Sequence, residues 1–250
     1  MSEWWQEFFT SGSYTLLEDI PAERTQAQIE FILRELALEP GARLLDAACG
    51  IGRHSLPLSA HGLMVMGLDY TPAYLRHAVA GVARLTVNLP ARFVRGDIRR
   101  LPLEPGTFQA VINLFTSFGY FDDDAEDQAT LQEFARVLAP DGLLLLDVQN
   151  RDCIARHFLP TDWTPLSDGY LLESRRWDAR SGRIVSDWTF LRNGVARTYT
   201  VTVRAYTCPE IERMLTIAGF EVMDLWGDWS GASLTLESRR IIVKARKRSV

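Results

Sequence analysis

Residues 42–62 read ARLLDAACGIGRHSLPLSAHG, and this stretch decides the fold. An apolar run, Arg43 to Asp46, gives way to the small residues and glycines Asp46-Ala47-Ala48-Cys49-Gly50-Ile51-Gly52, and a helical pattern then runs from His54 to Ala60. A strand, a bare-backbone turn and a helix in that order open a βαβ unit, the building block of a mostly parallel sheet.

Working outward, the same alternation continues. Short, nearly all-apolar runs at Leu63 to Asp69, Arg92 to Arg95, Phe108 to Asn113 and Leu143 to Val148 read as strands covered on both faces. Helical patterns at Pro72 to Leu85 and Ala125 to Leu138 separate them, and Ala22 to Leu38 precedes the first strand, opened by Pro21 and stopped by Pro40 and Gly41. After Asn150 the rhythm changes. Leu171 to Trp177, Ile184 to Arg192 and Val195 to Tyr206 look extended, and Ser181-Gly182 and Asn193-Gly194 are hairpin-turn dipeptides, so a three-stranded antiparallel insertion is expected. A helix at Pro209 to Ala218 and strands at Phe220 to Trp226 and Arg240 to Ala245 close the core. The expected division is an N-terminal helical cover over residues 1–40, a core over 41–150 and 207–250, and the insertion over 151–206, acting as a substrate lid or a dimer contact.

Composition narrows the function. The chain has 250 residues, 47% hydrophobic and 24% charged, enough apolar material for one sizeable core. A net charge of -5 argues against a main role in gripping phosphate backbones, and the basic tail Lys244, Arg246, Lys247, Arg248 reads as a solvated end. Three widely spaced cysteines, Cys49, Cys153 and Cys208, suggest neither disulfides nor a metal site. The apolar run Leu143 to Leu146 is far too short to span a bilayer, and Met1 to Thr10 lack a signal-peptide pattern, so a cytoplasmic location is expected.

In open α/β sheets, ligands sit outside the carboxyl ends of the strands, so the residues that end each strand carry the chemistry. A Gly-x-Gly turn suits several nucleotides, and Asp69 at the end of the second strand suits a ribose diol in any of them. Asp46 discriminates among them. A carboxylate at the turn's entrance repels a pyrophosphate but complements an ammonium, such as the one at the methionine end of S-adenosylmethionine, directly or by fixing the turn's dipoles. Ser55 also stands where the dinucleotide fingerprint places its third glycine. Gly96-Asp97-Ile98 offers a carboxylate for an adenine amino group and an apolar side chain for the ring, or else a capped turn. The segment Asn113 to Tyr120 is suited to line donor and acceptor.

These motifs together resemble the class I S-adenosylmethionine-dependent methyltransferases of the small-molecule type with a compact domain. The carriers are LLDAACGIGRHSLPLSAHG, MVMGLDYT, FVRGDI, FQAVINLFTSFGYF and RVLAPDGLLLLDVQN, with a further match at YTCPEIERMLTIAGFEV. The resemblance implies a Rossmann-like seven-stranded sheet of order 3-2-1-4-5-7-6 and S-adenosylmethionine as cofactor, leaving S-adenosylhomocysteine. It implies methionine-moiety contacts at Ala48 and Gly50 within the Asp46, Cys49 and Gly52 turn, ribose contacts at Asp69 with Tyr70 near the adenine, and an adenine clamp of Gly96, Asp97 and Ile98. Asn113, Leu114 and Phe115 resemble the contact near the donor's amino group, and Tyr14, Arg24 and Thr25 a cover over the cofactor. His157, Tyr120 and Asp147 are the groups to inspect for an acid–base role. A small-molecule acceptor, no membrane and a homodimer are expected. A nicotinamide-dependent oxidoreductase, an RNA-directed methyltransferase and a non-catalytic cofactor-binding module are the alternatives.

Overall fold

The computed structural model describes residues 4–11, 20–84 and 90–249. Eleven strands and seven helices are named here in chain order: α1 (Trp4–Ser11), α2 (Ala22–Leu36), β1 (Arg43–Ala47), α3 (Ser55–Ala60), β2 (Met64–Asp69), α4 (Pro72–Arg84), β3 (Ala91–Arg95), β4 (Phe108–Asn113), α5 (Asp124–Val137) and β5 (Leu138–Gln149). They continue as α6 (Arg151–Arg156), β6 (Thr161–Leu166), β7 (Gly169–Asp178), β8 (Arg183–Arg192), β9 (Val195–Arg204), α7 (Cys208–Ile217), β10 (Phe220–Trp226) and β11 (Arg240–Lys247).

Seven strands form one sheet in the order β10-β11-β5-β4-β1-β2-β3. Counting core strands alone, this is 3-2-1-4-5-7-6, the doubly wound Rossmann-like arrangement. β11 runs antiparallel to both β5 and β10, while the pairings among β1 to β5 are parallel. Parallel strands are covered on both faces, and adjacent residues show it. Leu44, Val65, Ala110, Ile112, Leu145 and Ile242 pack on one side with Ile29, Phe31 and Ile32 of α2. Leu45, Leu68, Val111, Leu144, Leu146 and Val243 pack on the other with Phe134 of α5 and Leu215 of α7. The helix before β1 stops at Leu36, two residues earlier than its pattern suggested, because Ala37 turns left-handed (φ 45°) and its N–H closes on Leu33 O.

The insertion has four strands, β6-β7-β8-β9, instead of three. β6 escaped the sequence reading because it is an exposed edge strand containing Pro165, with no alternation of apolar and polar residues. The β8–β9 hairpin turns on Asn193-Gly194, both left-handed (φ 50° and 75°), as that dipeptide requires. Phe8 of α1 is buried against Leu171, Phe190 and Val201 of this second sheet. The sheet is tied to the core where Arg204 N–H donates to Gly119 O (2.7 Å). No helix among the described residues is long and apolar enough to cross a membrane.

Candidate functional site

A cavity of about 390 Å³ lies at the carboxyl ends of β1 to β4. Its floor is the turn after β1. Ala48 and Gly50 are left-handed (φ 62° and 56°), and the Gly50 N–H is held by Asp69 Oδ2 at 2.8 Å, so the end of β2 fixes the turn of β1. Asp69 Oδ1 accepts from Thr71 N–H (2.8 Å), which orients the carboxylate further. Burial raises the pKa of Asp69 against the pull of these N–H groups.

Asp46, 2% exposed, borders the same cavity and accepts a 2.5 Å hydrogen bond from the Ser55 hydroxyl at the start of α3. Burial lifts its carboxyl to about 6, against the lowering effects of Ser55 and Arg53. Ser55 therefore has a task that the absence of a third glycine did not reveal: it supplies the hydroxyl that steadies Asp46. Burial also pushes the Cys49 thiol well above its ordinary range, with Asp46 and Asp69 adding to the effect.

Of the other residues singled out in the sequence, Cys49, Tyr70, Gly96, Asp97 and Ile98 border the cavity along the β1, β2 and β3 ends. Leu114, Phe115, Tyr120 and Arg24 border it from the far side. Asp97 Oδ1 accepts from Arg99 N–H (2.9 Å), and its carboxylate pairs with the Arg99 guanidinium (2.7 Å), so the capped-turn geometry and the cavity position coexist. Tyr70 is braced by Trp5 of α1, edge-on at 4.8 Å.

Several candidates lie elsewhere. Gly52, Thr25 and Asn113 stand behind the lining: Asn113 is fully buried and donates to Ala47 O (2.9 Å), and Thr25 accepts from Arg53 Nη1 (2.9 Å). Asp147 is 1% exposed, also behind the wall, and both its carboxylate oxygens are engaged, one by Phe115 N–H (2.8 Å) and one by Arg240 Nε (2.6 Å). His157 is remote and more than half exposed, where it contacts Glu237 at 2.7 Å. It follows α6, a helix the sequence pattern did not reveal, and does not border the cavity. Tyr14 falls outside the described residues.

To Arg24, already singled out in the sequence, the structure adds residues that the sequence reading missed. Arg53 and Arg24 both lie over the Phe115 ring, at 5.3 and 5.5 Å from its centroid. Arg53 Nη1 donates to Gln28 Oε1 (2.7 Å), whereas Nη2 is buried without a partner among the described residues. Burial, with repulsion from Arg24, lowers the Arg53 pKa to about 10. Trp188 and Val201 of the second sheet, with Phe8 and Phe9 of α1, build an apolar wall opposite. Only chain folding brings Phe8, Phe9, Trp188 and Val201 to the cavity, because each is far in sequence from the motifs. The lining thus brings together the carboxylates Asp46 and Asp69, the guanidinium groups Arg24 and Arg53, and apolar rings. That set fits a zwitterionic nucleoside: an amino-acid end whose ammonium and carboxylate meet opposite charges, and a ribose for the remaining carboxylate.

A Rossmann-like sheet with an aspartate beside its glycine turn is the frame of a nucleoside-binding site. Residues 44–142 match the methyltransferase domain family. A putative methyltransferase, YqeM of Bacillus subtilis, is 28% identical over 85% of this chain and 87% of its own length. The glycine/sarcosine N-methyltransferase of Halorhodospira halochloris is 32% identical over 54% of this chain, and the match spans about half (50%) of that relative. The CcbJ methyltransferase of Streptomyces caelestis shares the fold across 96% of this chain and 98% of its own, with a TM-score of 0.84 at 17% identity. Residues 44–142 thus resemble a methyltransferase domain, and the solved structure shares the chain's fold.

Proposed function

We propose that the chain transfers the methyl group of S-adenosylmethionine to a small-molecule acceptor by direct in-line displacement. In this reading Asp46 and the backbone of Ala48, Cys49 and Gly50 receive the methionine end, with Gly52 shaping the turn from behind, and Arg24 and Arg53 pair with its carboxylate. Asp69 takes the ribose hydroxyls with Tyr70 alongside, Gly96, Asp97 and Ile98 hold the adenine, and Asn113, Leu114 and Phe115 close the site. The observation that carries this assignment is that both signs of charge line one cavity: Asp46 and Asp69 at the glycine turn, and Arg53 beside Phe115, its Nη2 without a partner among the described residues. The bound sulfonium supplies an already activated methyl group, so alignment and exclusion of water are the protein's main contributions.

The acceptor side is the apolar wall of Phe8, Phe9, Trp188 and Val201, with the second sheet acting as a cover. Of the three acid–base candidates only Tyr120 reaches the cavity, and burial pushes its phenol up to about 12, against the lowering effect of Arg240. At neutral pH it is a hydrogen-bond donor and no base. An acceptor that presents its own lone pair, such as a neutral amine, suits this site. The test is titration calorimetry with S-adenosylhomocysteine, followed by methyl transfer to a panel of small amines, hydroxyl compounds and total tRNA. Asp69→Ala and Gly50→Val should each weaken nucleoside binding at least about tenfold, the equivalent of 1.4 kcal/mol. Unchanged affinity in both variants overturns the residue assignment, and labelling of tRNA alone overturns the small-molecule reading.

A further inference from the structure

The turn Leu114–Ser117, which carries the wall of the cavity after β4, has an improbable backbone. The Ser117 N–H and hydroxyl both donate to Leu114 O, at 3.3 and 2.8 Å, closing a four-residue turn. Its two central residues, Phe115 and Thr116, are left-handed, with φ of 59° and 61°. Consecutive left-handed residues belong to turns dominated by glycine, asparagine and aspartate. A bulky aromatic followed by a β-branched threonine is poorly suited to them, and such strain persists only where the surroundings over-determine it.

The surroundings are a single ion pair, buried at its Asp147 end and partly exposed at its Arg240 end. Asp147 Oδ2 accepts the Phe115 N–H at 2.8 Å, and Asp147 O accepts the Thr116 N–H at 3.1 Å. Arg240 donates to Asp147 Oδ1 through Nε (2.6 Å) and to the Thr116 hydroxyl through Nη1 (2.8 Å). The antiparallel pairing of β11 with β5, which places Arg240 opposite Gln149 and Ile242 opposite Asp147, brings the two side chains together. Both strained residues are thus gripped from one point, and the Phe115 ring held there is the one over which Arg24 and Arg53 sit.

We propose that Asp147 and Arg240 are positioning residues for methyl transfer, whose ion pair holds the Leu114–Ser117 turn in its left-handed form and so sets the Phe115 platform beneath Arg24 and Arg53. The proposal rests on the reading of this cavity as the S-adenosylmethionine site. It also gives Asp147 a role other than that of a base, because both its oxygens are occupied.

The test is a double-mutant cycle between Asp147→Asn and Thr116→Gly, read by S-adenosylhomocysteine calorimetry and by urea unfolding. Glycine adopts the left-handed region freely, so it removes the need for the clamp at that residue. In the native background Asp147→Asn should weaken S-adenosylhomocysteine about tenfold. In the Thr116→Gly background the same change should cost no more than about twofold, a coupling that a simple packing role for Asp147 does not produce. Arg240→Lys, which keeps a cation beside Asp147, should bind more tightly than Arg240→Ala. Equal losses from Asp147→Asn in both backgrounds, or no loss in either, overturn the clamp. If the native protein binds no S-adenosylhomocysteine, the reading of the cavity falls instead, and the clamp is judged on unfolding alone. There, additive urea midpoints overturn it.

Discussion

Replacing Tyr206 with phenylalanine removes one hydroxyl, and its effect should depend on pH in a definite direction. The Tyr206 hydroxyl donates to Asp127 Oδ2 at 2.6 Å, with both residues almost wholly buried, and Asp127 Oδ1 accepts the Gly119 N–H at 3.2 Å. Burial pushes the Asp127 carboxyl up to about 7, against the lowering effects of Tyr206 and Gly119. A folded-state pKa raised from the ordinary carboxyl range contributes stability that is fully present below about pH 4 and lost as the pH rises through about 7. The native amount lost is about 4 kcal/mol. At pH 8, where Asp127 is ionised, the variant loses a charge-assisted hydrogen bond worth about 2–3 kcal/mol, while at pH 5 it loses a neutral one worth about 1 kcal/mol. With about 2–4 °C per kcal/mol for a chain of this size, Tm should fall about 5–10 °C at pH 8 and about 2–4 °C at pH 5. Differential scanning calorimetry of both proteins at the two pH values measures this. An equal fall at both would mean that Asp127 does not titrate between them, and the argument would fail.

Three further changes should behave as follows. Ala48→Gly relieves a left-handed alanine at a cost of about 0.5–1 kcal/mol in unfolded-chain entropy, so a net gain of up to about 1 kcal/mol is expected, and a lowered Tm would contradict it. Thr207→Ala breaks the capping box in which Thr207 and Glu210 satisfy each other's backbone at the start of α7. It should cost about 1 kcal/mol in urea unfolding, and a midpoint unchanged at equal slope would show the cap to be idle. His157→Ala should leave S-adenosylhomocysteine affinity unchanged and alter stability by less than about 0.5 kcal/mol, since its partner Glu237 is equally exposed; a severalfold affinity loss would bring it back as a site residue.

The parallel strands of the core were legible because a sheet buried on both faces writes itself as unbroken apolar runs, and β4 falls on the residues its pattern indicates. β6 was not legible, because an exposed edge with a proline has no side to hide and so no period. The same contrast divides the site. Asp46, Asp69 and Asp97 stand out at strand ends next to glycines, whereas Arg53 and Trp188 carry no local signal. Arg53 looks like any charge at the start of a helix, and Trp188 like one more aromatic in a hairpin. The Phe115–Thr116 turn was hidden for a further reason, since its residues contradict the turn chemistry that sequence reading relies on.

What the sequence determined by itself is local: which runs become strands, where the backbone must be bare of side chains, and the acid at the mouth of the turn that favours a cationic nucleoside over a pyrophosphate. Which polar groups are left open, which are already satisfied and which residues share a cavity were decided only by the tertiary structure. Asp147 and Asp46 are alike in sequence, each an aspartate at the carboxyl end of a hydrophobic strand. Antiparallel β11 brings Arg240 onto one and closes it, while α3 offers the other a single hydroxyl and leaves it at the cavity. The physical reason is that hydrogen-bond satisfaction is a property of partners brought together across long chain separations, and spacing along the chain carries no record of them.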